Sequence, residues 1–305
     1  MNTQSNAMPD SSFEPPVIAT RTLSATRPFY WSVRRELWEY RSIYIAPLAT
    51  AAVVLFGFLI ATIGRAMSMF DPARRAAVLG GPNDFAELLI MGVAFVVGIF
   101  YSLDALHGER RDRSILFWKS LPVSDLTTVL SKATIPLVVI PLLSFALIVV
   151  TQFIMLLLST AALLGSGLSA APLWAPGPLF EMPVMLLYHL VAVHVLWYAP
   201  IYGWLLLVSG WARRATFLWA ALPVALICAI EKIAFNTTYF VELLGNRLGG
   251  SAAGGSLTGD GVSMDPLMQL TPGRFLSSAG LWIGLAFFAA CIAAAVRLRR
   301  SQGPI

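Results

Sequence analysis

The sequence predicts an all-α, polytopic membrane protein with six transmembrane helices, and two observations predict it. Of 305 residues, 57% are hydrophobic and only 12% are charged, whereas soluble domains carry about one quarter charged residues. The apolar residues also gather into long runs. A spanning helix needs about 20 mostly apolar residues, and six stretches meet that need, at about 43–64, 85–106, 133–164, 183–209, 215–235 and 275–296. They define a transmembrane domain over 28–300, with a short tail at 301–305.

The arm at 1–27 is polar, carries Pro9, Pro15 and Pro16, and has no apolar core of the signal-peptide kind. It is expected to be a disordered cytoplasmic segment. After it comes PFYWSVRRELWEYRSIY. At 100° per residue, Tyr30, Trp31, Val33, Leu37, Trp38, Tyr40 and Tyr44 share one broad face, while Ser32, Arg35, Glu36, Glu39 and Ser42 share the other. The pattern predicts an interfacial amphipathic helix leading into the first span. Arg34 and Arg41 fall within its aromatic face, beside Trp38. Two readings are open for them: snorkelling to lipid phosphates, or pairing with Glu109 or Asp104.

The third stretch is longer than one crossing requires, and Pro136 and Pro141 are expected to kink its end. Trp197, Trp204 and Trp211 recur every seven residues along the fourth and predict a packing or lipid-facing stripe. Gly280 and Gly284 form G-x-x-x-G in the sixth, a spacing that allows close helix approach. Gly165–Glu181 is a Pro- and Gly-containing loop, and Asn236–Arg274 is the largest extramembrane segment, with GGSAAGGSLTGDG flexible by composition.

Positive charge gives the orientation. Of 21 Lys and Arg, all but Arg65, Arg74, Arg75, Lys232, Arg247 and Arg274 fall on one side of the six spans. That side is expected to be cytoplasmic, with both termini and the connection Tyr101–Lys132. The net charge of +5 is spread over the span ends rather than along one face, so no nucleic acid is expected as a partner.

Catalytic constellations are not evident. His189 and His194 are five apart, about 140° around an α-helix, so they do not converge as an i, i+4 metal pair would. No G-x-S-x-G elbow occurs, and Cys228 and Cys291 sit in apolar runs without charged neighbours. Glu87, Asp104, Glu181 and Glu231 lie near span ends, where structural anchoring is the simplest role. A P-loop needs Gly-Lys; Lys119, Lys132 and Lys232 follow Trp118, Ser131 and Glu231. No cofactor or metal is expected in this chain, and any ATP hydrolysis belongs to another one.

The Tyr101–Lys132 connection carries the charge cluster Glu109, Arg110, Arg111, Asp112, Arg113, then Ile115, Leu116, Phe117 and Trp118, with Leu121-Pro122 closing it. Ser124 and Asp125 predict an N-cap and a first-turn acid for the next helix. Gly108-Glu109-Arg110, Leu121-Pro122-Val123-Ser124, Lys132, Leu281-Trp282 and Arg297-Leu298-Arg299-Arg300 occur in this order. With six spans and both ends on one side, the chain resembles the ABC-2 family of ABC-transporter permeases over about 28–300.

The resemblance implies a permease subunit in a bacterial inner membrane, paired with a second permease copy or paralogue and with a separate P-loop ATPase that binds ATP and Mg. It implies a cytoplasmic coupling helix at about 108–121, so that Glu109, Arg110, Arg111, Arg113, Phe117, Trp118 and Leu121 would meet the ATPase. It also implies a substrate path along spans two and five, here Phe95, Phe100, Trp219 and Pro223. The absence of midplane charge favours export of an amphipathic or hydrophobic cargo such as a drug, peptide or lipid. A competing expectation is a non-transporting membrane anchor for a soluble complex.

Overall fold

The computed structural model describes residues 26–65, 72–120, 123–165, 167, 169–174, 176–248, 272–301 and 303. The expectations for residues 1–25, Leu121, Pro122, the glycine-rich stretch 249–261 and most of the tail lie outside them. The described residues are helical, without strands. A short helix α1 (Thr26–Glu39) turns at Tyr40 into α2 (Ser42–Arg65). Then come α3 (Pro72–Asp104), two short helices α4 (His107–Arg111) and α5 (Ser114–Ser120), and a rod made of α6 (Asp125–Thr134), a π-helix (Ile135–Val139) and α7 (Ile140–Gly165). A 3₁₀ turn at Ala171–Trp174 precedes α8 (Pro176–His189), a second π-helix (Leu190–Trp197) and α9 (Ala199–Trp211). The last elements are α10 (Thr216–Ile230), a π-helix (Glu231–Phe235), α11 (Tyr239–Leu248), α12 (Pro272–Leu276) and α13 (Ala279–Ser301).

Among the described residues five helices are long and apolar enough to cross a membrane, and six if Pro183–Trp197 and Ala199–Trp211, bent by 42°, make one crossing. This is the make-up of a helical multi-pass membrane protein. The long rod starts at Asp125, where the Ser124 cap was expected, and runs on into the apolar stretch expected from Ala133. Ser124 caps it as predicted, its Oγ accepting from the Thr127 N–H at 3.1 Å. The kink expected at Pro136 takes the form of the π turn around it, an insertion that absorbs the missing proline donor without ending the helix.

Packing follows small and polar residues rather than a hydrophobic stripe, because lipid is as apolar as any core. Helix α7 buries Ile140, Ser144, Ile148, Thr151, Met155, Ser159 and Leu163, spaced by threes and fours on one face. That face meets α2 and α3, where Ala51, Ile90 and Ile148 form one cluster and Phe58, Ala86 and Met155 another. The buried Ser144 hydroxyl donates to the Ile140 carbonyl within its own helix. Helices α9 and α13 form the most extensive pair in the bundle. Gly203 permits it: a Cβ there would lie 2.7 Å from the Phe288 ring and 3.3 Å from the Phe288 Cα. Helix α10, by contrast, is almost wholly exposed and buries only Ala220.

The tryptophans spaced by seven do not act as one stripe, because the helix changes register at Tyr198, between the π-helix and α9. Trp197 is buried beneath the Arg247 guanidinium, 4.1 Å from its ring centroid. Trp204 Nε1 donates to the Ala220 carbonyl, and Trp211 is exposed against Trp219. The G-x-x-x-G pair serves α11 as well as its own helix. Arg247 donates to the Gly280 carbonyl, and its guanidinium occupies the place a Gly284 side chain would take. At that same end Glu231 accepts from the Tyr239 and Phe240 N–H groups and starts α11, which is structural anchoring as expected.

The α9–α13 contact gives a direct test. Gly203→Ala should lower the melting temperature in detergent, because a methyl group against backbone costs about 1–3 kcal/mol. Gly92→Ala should leave it unchanged or raised, since a Cβ at Gly92 meets nothing within 4 Å. Equal melting temperatures for the two variants would refute this packing.

Candidate functional site

Charged residues from four helices converge at one end of the bundle, called here the charged end. At the centre is Glu109 of α4, which is buried. Its Oε1 accepts from an Arg35 guanidinium nitrogen at 2.9 Å and lies 3.2 Å from Lys132 Nζ. Its Oε2 accepts from Arg299 of α13. Glu36 of α1 is the second hub. It accepts from Lys132 Nζ at 2.8 Å and from the Tyr101 hydroxyl at 2.8 Å, and it lies 3.3 Å from Arg35. Arg299 Nε also donates to Asp125, at the start of α6, at 3.1 Å.

Three cations, Arg35, Lys132 and Arg299, thus face three anions, Glu36, Glu109 and Asp125. Charges this deep persist only when paired and hydrogen-bonded, because desolvation costs several kcal/mol per ion. Lys132 is 1% exposed and Glu36 is 2% exposed, so neither has solvent to fall back on. Removing one partner leaves the others uncompensated, which is what makes the cluster a lock. The core beneath it contains Ile43, Tyr101, Leu106, Val129, Ala133 and Leu206, with Val33, Leu37 and Tyr40 of α1 packed against it.

The structure corrects the reading of α1. The pairing to Glu109 is made by Arg35, not by Arg34 or Arg41. Arg34 instead stacks between Trp31 and Trp38, at 5.1 and 4.7 Å from their centroids, and Arg41 is exposed. Asp104 is bonded by Tyr40, whose hydroxyl donates at 3.1 Å. Burial first, and the Asp104 carboxylate second, hold the Tyr40 phenol far above its ordinary range, so it stays a donor. The sequence allotted Arg35 and Glu36 to the solvent face because a helix seen alone gives its charges to water. Counter-charges supplied from 74 and 96 residues away reverse that.

The residues expected to meet an ATPase separate into two groups. Glu109 and Arg110 are buried. Arg110 donates to the Gly210 carbonyl at 2.6 Å, so it is not a rim charge as expected: it ties α4 to the end of α9. Arg111, Arg113 and Phe117 are exposed. Arg111 pairs with Asp112 at 3.1 Å, and Arg113 takes a left-handed backbone at φ 58° that turns the chain from α4 into α5. Helix α5 has one buried residue, Ile115, and carries Leu116 and Phe117 outward, each 59% exposed. Trp118 is half held, with the Arg35 guanidinium 3.6 Å above its ring and Phe117 edge-on at 4.9 Å. Leu121 lies outside the described residues.

The four residues expected along a substrate path are not brought together. Phe95 packs inside against Tyr198 and Tyr202, Phe100 points outward at 63% exposed, Trp219 meets Trp211, and Pro223 lies within α10. His189 ends α8, and His194 lies in the π-helix that follows, its ring edge-on to Tyr198 at 5.2 Å. Among the described residues no three His, Cys, Asp or Glu gather as a metal site.

Of the cluster, the sequence reading singled out Glu109, Lys132 and Arg299 through family motifs, and missed Arg35, Glu36 and Tyr101. The available signal was a Lys at the start of an apolar run, which demands an acid from elsewhere. Compared with known protein families, characterised proteins and solved structures, the chain matches none.

The lock is open to a mutant cycle. Lys132→Met should destabilise the detergent-solubilised chain by about 3–5 kcal/mol, since it strands two buried carboxylates. Adding Glu36→Gln should restore part of the loss, giving a coupling on the order of 1–3 kcal/mol in chemical unfolding. Strict additivity would mean that the two side chains do not meet.

Proposed function

We propose that the chain is the membrane-spanning permease subunit of an ABC-type exporter, coupled through α5 to a separate P-loop ATPase. The observation that carries the reading is the form of the charged end. A seven-residue helix presents Leu116 and Phe117 to the aqueous side, while its root is fixed by Glu109 to α1, α6 and α13. An apolar anchor on a rigid mount suits docking, because buried aromatic side chains dominate interface energies. Arg111 and Arg113 beside it would set association rate and salt dependence.

Further support comes from the sequence. The chain has no Gly-Lys pair for a P-loop of its own, and its ordered motifs resemble those of ABC-2 permeases. On this reading the charged end is cytoplasmic, in keeping with its excess of Lys and Arg. The exposed aromatic side chains Tyr30, Trp31 and Trp38 of α1 rest at the membrane interface of a bacterial inner membrane. A second permease copy or paralogue completes the translocation path, and the cargo is amphipathic or hydrophobic. Six crossings result if the bent pair is one of them.

The test is co-expression with the P-loop ATPase encoded nearest in the same genome. Leu116→Ala/Phe117→Ala should abolish its co-purification while the membrane subunit still inserts. Glu109→Gln, which unpairs buried cations, should lower the melting temperature of the membrane subunit and, in the fraction that still assembles, uncouple hydrolysis from export. Full assembly and transport by the Leu116/Phe117 variant would place the docking site elsewhere. Normal assembly with an ATPase rate indifferent to the membrane subunit would favour a non-transporting anchor.

Orientation is tested separately, in a background with Cys228 and Cys291 replaced. A single cysteine at Ser114 should resist an impermeant thiol reagent in intact cells, whereas one at Ser256 should react. Labelling at Ser114 would invert the topology and remove the docking face from the cytoplasm.

A further inference from the structure

A second feature of the charged end is distinct from the ion cluster and from the α5 knob. The turn between α9 and α10 runs from Ala212, which is extended, to Ala215, which is left-handed at φ 51°. The two helices diverge from it, and a pocket of about 740 Å³ opens between them. Trp211, Ala212, Arg213, Arg214 and Trp219 line it. The two indoles meet edge to face with centroids 4.9 Å apart, yet remain 48% and 45% exposed. Tryptophan pairs so placed mark the headgroup level of a bilayer, where one side of the ring is apolar and the other wet.

The charges at this pocket are unlike those of the cluster. In the cluster each cation has a carboxylate. Here Arg213 and Arg214 have no carboxylate partner among the described residues. Arg110, nearby in the fold, is partnered by the carbonyls of Gly210 and Gly303. Two adjacent guanidinium side chains, Arg213 and Arg214, therefore line the pocket with no carboxylate among the described residues to offset them. A guanidinium offers paired donors that match a phosphate oxygen pair. Beside them the pocket wall is aromatic, made by Trp211 and Trp219, which suits a glycerol backbone and the start of an acyl chain.

We infer that the α9–α10 pocket is a binding site for one anionic phospholipid, its phosphate held by Arg213 and Arg214 and its glycerol region laid against Trp211 and Trp219. The inference is independent of the permease reading, since it requires only that the chain be a membrane protein with this end at a headgroup layer. It goes beyond general attraction of basic residues to a membrane, because Arg297 and Arg300 are exposed on α13 at the same end and do not line this pocket.

Native mass spectrometry of the delipidated chain in detergent tests the site. The probes are dioctanoyl phosphatidylglycerol, dioctanoyl phosphatidylcholine and inorganic phosphate. Wild-type protein should retain one phosphatidylglycerol per chain in preference to phosphatidylcholine. Arg213→Gln/Arg214→Gln should weaken it by roughly 30-fold, as loss of two lipid-facing arginines implies. Arg297→Gln/Arg300→Gln should weaken it less than threefold, and Trp219→Leu should reduce phosphatidylglycerol retention without creating a preference for phosphatidylcholine. Arg213 and Arg214 are exposed, and the melting temperature of each variant checks that the fold survives. Equal loss in the Arg297/Arg300 variant, equal retention of phosphatidylcholine, or displacement of the lipid by millimolar phosphate would each overturn the proposal. The wild-type lipid comparison alone decides it if a variant fails to fold.

Discussion

One buried carboxylate governs this structure. Glu109 stands in the short helix that follows the second long apolar helix, and three cations from three other helices converge on it. None of those contacts is local: Arg35 lies 74 residues before Glu109 and Arg299 lies 190 after it. A cluster of this kind gives a membrane bundle what hydrophobic burial cannot. Leu and Ile are equally content against lipid or against another helix, so they specify no neighbour. A stranded charge, by contrast, excludes every arrangement that fails to pair it. The identity of each helix's partner at the charged end is set by this ionic demand and by the glycines that let backbones approach.

Other features follow from that constraint. Helix α1 is pinned through Arg35 and Glu36, which turns its tryptophans outward and lets Arg34 lie across them. Lys132 needs acids on its α1 side and on its α4 side, so α6 extends well beyond the apolar run and begins at Asp125, where Arg299 holds it. The opposite end has no such cluster among the described residues. It relies on single devices: Glu231 starting α11, and Arg247 lodged between Trp197 and Gly284.

The long apolar helices were legible in the sequence because crossing length and low charge are local properties, visible in any window of about 20 residues. So was the Ser124 cap, which depends only on positions within one turn. The side on which Arg35 and Glu36 fall was not. Periodicity places residues on a face but does not say what that face meets, and the default assignment of charges to water fails where another helix supplies the counter-charge. The register of the tryptophans failed for a related reason, since a π-helix shifts every later residue by part of a turn and leaves no simple mark in composition. Arg110 was misread because its acceptor is a backbone carbonyl of Gly210, and carbonyls are invisible to any reading by side-chain type.

The same end of the molecule therefore holds charge in two states with different consequences. Where cations are matched, in the Glu109 cluster, the side chains are rigid and inaccessible, and replacing one is felt throughout the fold. Where they are unmatched, at Arg213 and Arg214, the side chains are exposed and little of the fold depends on them. Matched charge is architecture; unmatched charge beside an aromatic pocket is free to recognise something. Helix α5 combines the two, with its root beside the matched cluster and its tip, Leu116 and Phe117, largely exposed. A push on that tip has one stiff route inward, through Ile115 and Glu109, and from there to α1, α6 and α13 together. On the proposed reading this is why the coupling element can be as short as seven residues. It need not be strong itself, because the ionic lock ties its root to three helices at once.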